Sequence, residues 1–456
     1  MTSERFAFWD LSHERMRILH LNWLAFFISF ILWFSHAPLM VFIKEALGLT
    51  SDQVKTLLLL NVALTIPARN LIGMFVDKFG PRIVYSLLLA TGGALCFGFA
   101  LAPNFEVLAL FRFLLGFVGA GFVVGIRLIA EWFPARQLGV AEGIYGGWGN
   151  FGAAAGALIL PLLASAFSLA WGWRIAVMIA GTIAIAYAAF FYWYARDTPA
   201  GATYFKPNKL GALEVASKKD LYIYIATSSA MYFAMALLLW KLSIPPTPLL
   251  SVQTALIIGG GFIALFVIQL RKMLSVNAHL FSAEPQPAPV QYAFSQVSIL
   301  SVAYLSAFGA ELAVVSMLPL YFHDTFGWSP ILASALASSF AFMNLVARPL
   351  GGYFSDKYGR KNVLTVVFVG ITIGFLGFAQ MNLHWSMPLV VAVTMIASFF
   401  VQAGCGAVFA CVPLIQRRLT GQFAGIAGAY GNIGGLVFLT SLALFGAHTF
   451  LSLIHI

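Results

Sequence analysis

ARNLIGMFVDKFGPR, residues 68–82, recurs as ARPLGGYFSDKYGR at residues 347–360. Both segments carry an arginine, then a glycine, then Asp-Lys, and then a final glycine and arginine at nearly the same spacing. A second pair, GIYGGWGNFG at residues 143–152 and GIAGAYGNIG at residues 425–434, follows the first pair in the same order. Repeated segments in one order indicate that the chain consists of two homologous halves.

The composition around these repeats is typical of a membrane protein. Of the 456 residues, 61% are hydrophobic and 9% are charged, whereas a soluble domain carries about 25% charged residues. A soluble fold could not bury so much apolar surface, but a lipid bilayer solvates it directly. The net charge of +10 does not indicate nucleic acid, because the basic residues lie in short segments between apolar runs.

Apolar runs long enough to cross a bilayer as helices recur along the whole chain. We predict them near 20–43, 54–76, 83–103, 106–130, 139–167, 173–195, 221–240, 252–270, 294–322, 331–353, 362–381, 386–413 and 422–448. The expected fold is therefore an all-α membrane protein of two pseudo-symmetric six-helix halves. The predicted units are 1–219, the first half; 220–292, an inserted pair of helices with a Pro-rich linker; and 293–456, the second half.

Two features depart from equal halves. The runs near 221–240 and 252–270 are extra, and we expect them to form a helical hairpin beside the bundle. A position on the membrane surface is the alternative, which the weak amphipathicity of both runs disfavours. The second half also has one predicted span fewer than the first, so we expect the chain to be truncated after the fifth helix of that half. A natural apolar ending is the alternative.

Basic residues mark one side of the predicted membrane, and the loops between them nearly lack Lys and Arg. The marking residues are Arg15, Arg17, Lys78, Arg82, Arg136, Lys206, Lys209, Lys218, Lys219, Arg271, Lys272, Lys357, Arg360, Lys361, Arg417 and Arg418. Positively charged loops stay in the cytoplasm, so we predict a multi-pass protein of the cell (inner) membrane with a cytoplasmic N terminus. The polar first 20 residues do not match a cleavable signal peptide.

The repeated loop segment predicts a conformational latch in each half. Its glycines allow a tight turn and close helix contact, and its aspartate can accept hydrogen bonds from basic residues or helix N-termini. The residues concerned are Gly73, Asp77 and Arg82 in the first half and Gly352, Asp356 and Arg360 in the second. This motif indicates the fold and the gating, and it says little about the substrate.

Arg69 and Arg348 indicate an anionic substrate. Each lies inside an apolar helix, where a charge is costly and normally has a partner or a task. The repeat places them at equivalent positions, so we expect them to face each other across the pseudo-two-fold axis, and neither helix offers a nearby acidic residue. Two unpaired guanidinium groups predict a planar oxyanion, which the arginine fork binds through two parallel hydrogen bonds. An ion pair with a carboxylate on another helix is the alternative.

The glycine-rich repeat adds a polar group to each half. Glycines alone are explained by close packing of membrane helices. Asn150 and Asn432, at equivalent positions, are carboxamides in apolar segments, where they need partners and can donate to an oxyanion. We therefore predict that both contribute to the same central site as the arginines.

These paired glycine segments, together with the paired loop motifs, resemble the nitrate/nitrite porter family of the major facilitator superfamily over essentially the whole chain. The likeness is greatest to the high-affinity nitrate permeases of cyanobacterial type. It implies a secondary transporter, not an enzyme, that moves nitrate and nitrite by alternating access with no cofactor, as nitrate/nitrite exchange or as proton-coupled uptake. The alternatives are a carrier of another small anion and a nitrate sensor.

The same resemblance implies roles for individual residues. It places the clamp that holds the planar anion on Arg69 and Arg348, and it implies aromatic side chains that sandwich the anion. The residues that match the binding pattern, beyond the arginines and asparagines, are Tyr304, Phe122, Phe308, Gly149 and Gly431. Aromatic residues in membrane helices more often serve packing, but the hydroxyl of Tyr304 can donate to the anion.

Other charged residues in the spans receive plainer interpretations. Arg112 opens the fourth span and is expected at the membrane interface. Arg127 and Glu131 are four residues apart on one helix and are expected to pair. Glu311 lies on the same span as Tyr304, and an acidic residue at that depth is a candidate for proton coupling. Its alternative is a structural partnership with a polar group of another helix.

An enzyme is disfavoured because the chain shows no clustered nucleophile, acid/base or metal-ligand pattern. The eight histidines are scattered, and Cys96, Cys405 and Cys411 all fall inside apolar segments, where cysteine behaves as a small hydrophobic residue. We therefore expect neither metal nor disulfide. The expected partners are the small anion, the lipid bilayer and, as a candidate coupling ion, the proton.

Overall fold

The computed structural model describes residues 6, 8–204, 206, 212–244, 249–281, 292–328 and 330–453. Lys209 of the basic loops and Pro285, Pro287 and Pro289 of the predicted linker lie outside these residues. Within the described residues the regular secondary structure is helical throughout. The predicted all-α membrane class is therefore confirmed.

Each predicted apolar run falls on one helix or on two helices in succession. The α-helices are α1 (Glu14–Phe34), α2 (His36–Leu47), α3 (Ser51–Ala63), α4 (Thr65–Phe79), α5 (Pro81–Ala100), α6 (Phe105–Leu115), α7 (Gly121–Trp132), α8 (Leu138–Ser165), α9 (Leu169–Tyr194), α10 (Lys218–Ser243), α11 (Val252–Val276), α12 (Phe294–Phe326), α13 (Pro330–Phe342), α14 (Asn344–Tyr358), α15 (Arg360–Ala379), α16 (Met387–Phe409), α17 (Val412–Ile415) and α18 (Thr420–Leu453). Ten helical stretches in the described part of the chain are long and apolar enough to cross a membrane.

Two spans are broken at equivalent places, and each break lies just before a predicted site arginine. The second span changes from α3 to α4 at Leu64, and the tenth changes from α13 to α14 at Met343. Arg69 is consequently the fifth residue of α4, and Arg348 is the fifth residue of α14. The internal repeat of the sequence is thus matched by a repeat in helix geometry.

The two halves meet through exchanged helix pairs, α8 against α14 and α4 against α18. A Cβ atom added to Gly143 of α8 would lie 2.6 Å from the Arg348 carbonyl oxygen, and one added to Gly425 of α18 would lie 2.6 Å from the Arg69 carbonyl oxygen. No real side chain tolerates such a distance to backbone, so these glycines allow the halves to approach closely.

The inserted helices α10 and α11 form a hairpin on the outside of the second half. Tyr232 of α10 donates to Oε1 of Gln269 in α11 at 2.5 Å. The first helix, α10, packs against α12 and α18, where Tyr430 donates to the Thr227 carbonyl oxygen at 2.9 Å. Nearly all of the described side chains of α11 are at least partly exposed, as expected for a helix that faces lipid.

The ends of the helices define two faces of the bundle. The N-terminal face is the side at which α1 begins and α4, α7 and α9 end, and the opposite face is the side at which α5 ends and α6 begins. Both copies of the repeated loop segment lie on the N-terminal face, where α4 leads into α5 and α14 leads into α15.

Candidate functional site

Arg69 and Arg348 converge on one aromatic ring between the halves. The guanidinium carbon of Arg69 lies 5.2 Å from the ring centroid of Phe308, and that of Arg348 lies 5.7 Å from the same centroid. Both arginines are buried, with 0% and 2% of their surface exposed. The predicted meeting of the two charges is therefore seen in the structure.

Aromatic side chains line this meeting point. The rings of Tyr304 and Phe308 are parallel within 5° at a centroid distance of 5.0 Å, and those of Tyr304 and Phe122 are parallel within 4° at 6.2 Å. Phe409 stands edge-on to both Phe122 and Tyr304 at 4.5 and 4.7 Å. The three aromatic residues named from the sequence thus lie together, and Phe409 joins them without having been predicted.

Arg348 has a carboxylate partner, and the expectation of two unpaired arginines is wrong at this position. Its Nη2 lies 2.8 Å from Oε2 of Glu311, which also accepts from Asn344 Nδ2 through Oε1 at 3.0 Å. The Cys405 thiol lies 3.8 Å from the same carboxylate. Glu311 belongs to a different helix from Arg348, so no pattern within either helix could reveal the pair.

Asn150 completes the environment of Arg348. With its amide oriented to satisfy both groups, Oδ1 of Asn150 accepts from Nη1 and Nη2 of Arg348 at 2.8 and 2.9 Å. This contact crosses between the halves, because Asn150 lies on α8 and Arg348 on α14. The predicted association of the asparagine with the arginine site is therefore seen for this half.

Arg69 is held in a different way. Its Nε donates to the Gly119 carbonyl oxygen at 3.2 Å and its Nη1 to the Gly428 carbonyl oxygen at 2.6 Å. In the described part of the chain no carboxylate pairs with it. Glu311 compensates the charge of Arg348, so the site carries one net positive charge, which lies on Arg69.

The glycine segments contact the arginines through positions other than those predicted. A Cβ atom on Gly146 would lie 3.1 Å from Nη1 of Arg348, and one on Gly428 would lie 3.1 Å from Nη1 of Arg69. The predicted glycines face aromatic rings instead: Gly149 faces Phe26, and Gly431 faces Tyr304 and Phe308. Which glycine of each segment faces the arginine depends on the rotation of the helix, which the sequence does not specify.

Asn432 occupies a second-half position equivalent to Asn150 but has different contacts. Its Nδ2 donates to the Gly428 carbonyl oxygen at 3.2 Å, the same oxygen that accepts from Arg69. Its Oδ1 is buried without a partner among the described residues. Asn432 thus lies beside Arg69 through a shared carbonyl and keeps one acceptor unused.

The first latch ties α4 to the beginning of α18 on the N-terminal face. Asp77 accepts from the backbone N–H groups of Gly421 and Gln422 at 3.0 and 2.9 Å. Gly73 lies directly against Gly421, because an added Cβ atom would be 2.4 Å from its carbonyl oxygen. An aspartate at a helix N-terminus is stabilised by the helix dipole, so this contact favours the closed N-terminal face.

A charged network strengthens the first latch. Arg127 Nε lies 3.1 Å from Asp77 Oδ1, and Arg127 Nη1 lies 2.7 Å from Glu131 Oε1, which confirms the predicted pair with Glu131. Arg417 of the second half reaches the same cluster, donating to the Glu131 carbonyl oxygen at 2.8 Å. The contacts of Arg417 with Glu131 and of Asp77 with the start of α18 cross between the halves, so these contacts must break when this face opens.

The second latch ties α14 to the beginning of α8. Asp356 Oδ2 accepts from the Val140 N–H at 3.2 Å, and Gly352 packs so closely on Gly139 that an added Cβ atom would be 1.8 Å from its carbonyl oxygen. Arg360 donates to Asp356 Oδ1 and to the Ala135 carbonyl oxygen, each at 3.0 Å. Arg360 therefore bridges the halves.

Arg82 lies at the position in the first copy that corresponds to Arg360 but does not bridge the halves. Its Nε donates to the Tyr192 carbonyl oxygen at 2.6 Å and its backbone N–H to Asp197 Oδ1 at 2.7 Å, both within the first half. Burial raises the pKa of the Asp197 carboxyl above its ordinary value, although that hydrogen bond and the Arg82 charge oppose the shift. The predicted latch role therefore does not extend to Arg82 in this conformation.

Comparison with known proteins adds independent evidence. The sequence profile of the Major Facilitator Superfamily matches residues 23–439. The nitrate/nitrite transporter NrtP of Nostoc punctiforme is 44% identical over 99% of this chain and 91% of that protein. The protein of the same name from Picosynechococcus is 42% identical over 94% of this chain and 85% of that protein.

A solved structure shares the fold at low sequence identity. The human organic anion transporter MFSD10 superimposes with a TM-score of 0.64, at 12% identity, over 97% of both chains. At that identity the likeness concerns only the fold. It confirms the expected major facilitator fold and leaves the role of each site residue to the geometry above.

Proposed function

Because the chain belongs to the nitrate/nitrite porter family of the major facilitator superfamily, we propose that it transports nitrate and nitrite across the membrane by alternating access. The observation that supports this most strongly is the 44% identity to a nitrate/nitrite transporter over 99% of the chain. The convergence of Arg69 and Arg348 on the Phe308 ring supplies the physical basis. Asn150, Asn432, Tyr304, Phe122, Gly149 and Gly431 are the further residues that we assign to the substrate site.

The charge of the site suits a small monovalent anion. The net charge of +1 on the two arginines and Glu311 is neutralised by one nitrate or one nitrite. The guanidinium fork is planar and donates in parallel, so it matches two oxygens of a planar oxyanion. Parallel aromatic rings on one side favour a flat ligand over a tetrahedral one of the same charge.

The latches support the alternating-access part of the proposal. Both close the N-terminal face, and the site residues Arg69, Arg348, Tyr304 and Phe308 are at most 2% exposed. A substrate can therefore reach the arginines only when the halves move apart. Rocking of two rigid halves about a central site is the motion expected of this repeat architecture.

We further propose that the N-terminal face is cytoplasmic and that the protein resides in the cell (inner) membrane. The described basic loop residues lie at helix ends on the N-terminal face, among them Lys78, Arg136 and Lys357. Positively charged loops are retained in the cytoplasm during insertion. In this orientation the closed latches shut the route to the cytoplasm.

Nitrate/nitrite exchange is the coupling mode that the site charge favours. A net positive charge between the halves, in a medium of low dielectric constant, is costly to close over unless an anion neutralises it. If the protein returns to its starting conformation with the exchanged anion bound, the site is neutral in both directions and that cost is avoided. Proton-coupled uptake is the second candidate, favoured by the 2.8 Å contact of Glu311 with Arg348, because protonation of Glu311 would alter the charge seen by the anion.

The test uses purified protein reconstituted in vesicles. We expect labelled nitrate to enter, excess nitrite to compete, and small carboxylates such as formate and acetate to compete much more weakly. Equal competition by carboxylates would show that the substrate is a broader class of small anions and not nitrate in particular. Saturable nitrate binding without any flux would show that the protein is a nitrate sensor and not a transporter. Flux driven by internal nitrite, compared with flux driven by a pH gradient, separates the two coupling modes.

A further inference from the structure

A third arginine is buried in the first half at a distance from the substrate site. Arg112, expected at the membrane interface, is 0% exposed, and that expectation is wrong. It is the eighth residue of α6, about 10 Å along the helix from the opposite face. The helices around it replace the lipid headgroups and water that would otherwise solvate its charge.

The polar contacts of Arg112 satisfy only part of its guanidinium group. Its Nη2 donates to the Trp33 carbonyl oxygen at 2.8 Å and to Oδ1 of Asn61. Among the described residues, its buried Nε and Nη1 have no hydrogen-bond partner, and no carboxylate pairs with it. Buried donors of a charged group are normally satisfied, so the unused N–H of Nε and the two unused N–H groups of Nη1 indicate a missing acceptor.

His36 adds a second unpartnered polar atom to the same region. It is the first residue of α2, follows the helix break at Ser35, and is 1% exposed. Its Nδ1 has no partner among the described residues. His36 follows Trp33 by three residues, and the Trp33 carbonyl oxygen accepts from Arg112. A ring nitrogen that carries its proton would offer another donor to an acceptor near Arg112.

Trp33 connects this cluster to the substrate site. Its ring lies 5.9 Å from the guanidinium carbon of Arg69, its carbonyl oxygen accepts from Arg112, and its Nε1 donates to the Asn61 carbonyl oxygen at 2.9 Å. Asn61 precedes Arg69 by about 12 Å of helix. The cluster therefore lies between the opposite face and Arg69.

We propose that Arg112, His36 and Asn61 form a second binding subsite for the same monovalent oxyanion, which the anion occupies on its way between the opposite face and Arg69. This inference rests on the proposed function. The argument is the one that applies to Arg69: a buried guanidinium group with no carboxylate partner among the described residues is expected to bind an anion. The subsite lacks the parallel rings of Phe122, Tyr304 and Phe308, so it binds more weakly and discriminates less between anions.

The test counts nitrate bound to purified protein in detergent. By equilibrium dialysis with labelled nitrate we expect two anions per chain at saturation, and one after Arg112→Gln. In Arg69→Gln/Arg348→Gln, saturable binding about tenfold weaker or more should remain, and adding Arg112→Gln should remove it. Arg174→Gln is the control, because Arg174 also lies near the opposite face and donates to the Ala102 carbonyl oxygen.

Several results would overturn the subsite. One anion per chain in the unaltered protein would do so, as would unchanged stoichiometry in a monodisperse Arg112→Gln protein. If Arg112→Gln does not fold, two other measurements still show whether the subsite exists. They are the number of anions bound by the unaltered protein and the residual binding of Arg69→Gln/Arg348→Gln. Failure of the proposed function looks different, because the unaltered protein would then bind no nitrate at all.

Discussion

Arg348 and Glu311 form a buried ion pair, with Nη2 and Oε2 2.8 Å apart, whereas the equivalent arginine, Arg69, donates to the carbonyl oxygens of Gly119 and Gly428 and has no carboxylate partner among the described residues. The internal repeat therefore gives equivalent arginine positions but unequal electrostatics. When a substrate anion leaves, Glu311 still compensates the charge of Arg348, but the charge of Arg69 is no longer compensated. The first half thus carries the charge that attracts the anion, and the second half supplies an orienting fork.

Replacement of either arginine by lysine should cripple transport. Lys keeps the charge but lacks the planar fork, so one charge-assisted hydrogen bond is lost, about 1.5–3 kcal/mol. We expect nitrate uptake at limiting substrate to fall by roughly 10- to 150-fold for Arg69→Lys and Arg348→Lys. Initial rates in vesicles measure this. Near-normal uptake by both variants would refute the clamp.

Neutralising Glu311 should destabilise the protein more than neutralising another buried glutamate. Glu311→Gln leaves the buried Arg348 unpaired, a loss of about 3–5 kcal/mol. Glu142 is the control, because it is 2% exposed and both of its carboxylate oxygens lack partners among the described residues. Thermal unfolding in detergent should show a lower Tm for Glu311→Gln and an unchanged or higher Tm for Glu142→Gln. The reverse order would contradict the pairing.

The same Glu311 variant separates the coupling modes. Under exchange, nitrate trapped inside vesicles should leave when nitrite is added outside, without a pH gradient, and Glu311→Gln should retain this flux in part. Under proton coupling through Glu311, the variant should lose accumulation driven by an imposed pH gradient and keep exchange. Accumulation that is unchanged in the variant would assign Glu311 a structural role only.

Removing a latch aspartate should open the N-terminal face. Asp77→Asn loses the pair with Arg127 and weakens the bonds to Gly421 and Gln422, and Asp356→Asn does the same at the second latch. Cys411 is a native reporter, being partly buried beside Ala410, whose carbonyl oxygen accepts from Arg360. With Cys411 as the sole thiol, we expect labelling by a polar maleimide to be at least about threefold faster in both variants. Equal labelling would show that these contacts do not hold the face closed.

The glycines that face the arginines should be sensitive to a single methyl group. Gly428→Ala places Cβ 3.0 Å from Cδ of Arg69, and Gly146→Ala places it 3.1 Å from Nη1 of Arg348. Either change displaces a guanidinium group by a few tenths of an ångström, so we expect a higher KM for nitrate with the fold retained. Gly260→Ala on α11 is the control, because beyond its own stretch of helix no described residue lies within 4 Å of the added Cβ. Unchanged KM in all three would contradict the assignment.

Much of the fold could be predicted because it depends on local sequence patterns. Hydrophobic run length gives each span, and the repeat gives the pseudo-symmetry that brings Arg69 and Arg348 together. The pairing of Arg348 with Glu311 was open only as an alternative, because the sequence does not show which residues of different helices meet. The burial of Arg112 was missed because a position near the start of a span does not reveal that the helix is covered by α1 and α3.

Each arginine lies against a glycine of the opposite half, Arg69 against Gly428 and Arg348 against Gly146. A change in one half therefore acts on the charged group contributed by the other. Either half can therefore be exchanged for the corresponding half of a distant relative only if the surface that it contacts on the other half is exchanged as well. Selection at this site therefore acts on the two halves together.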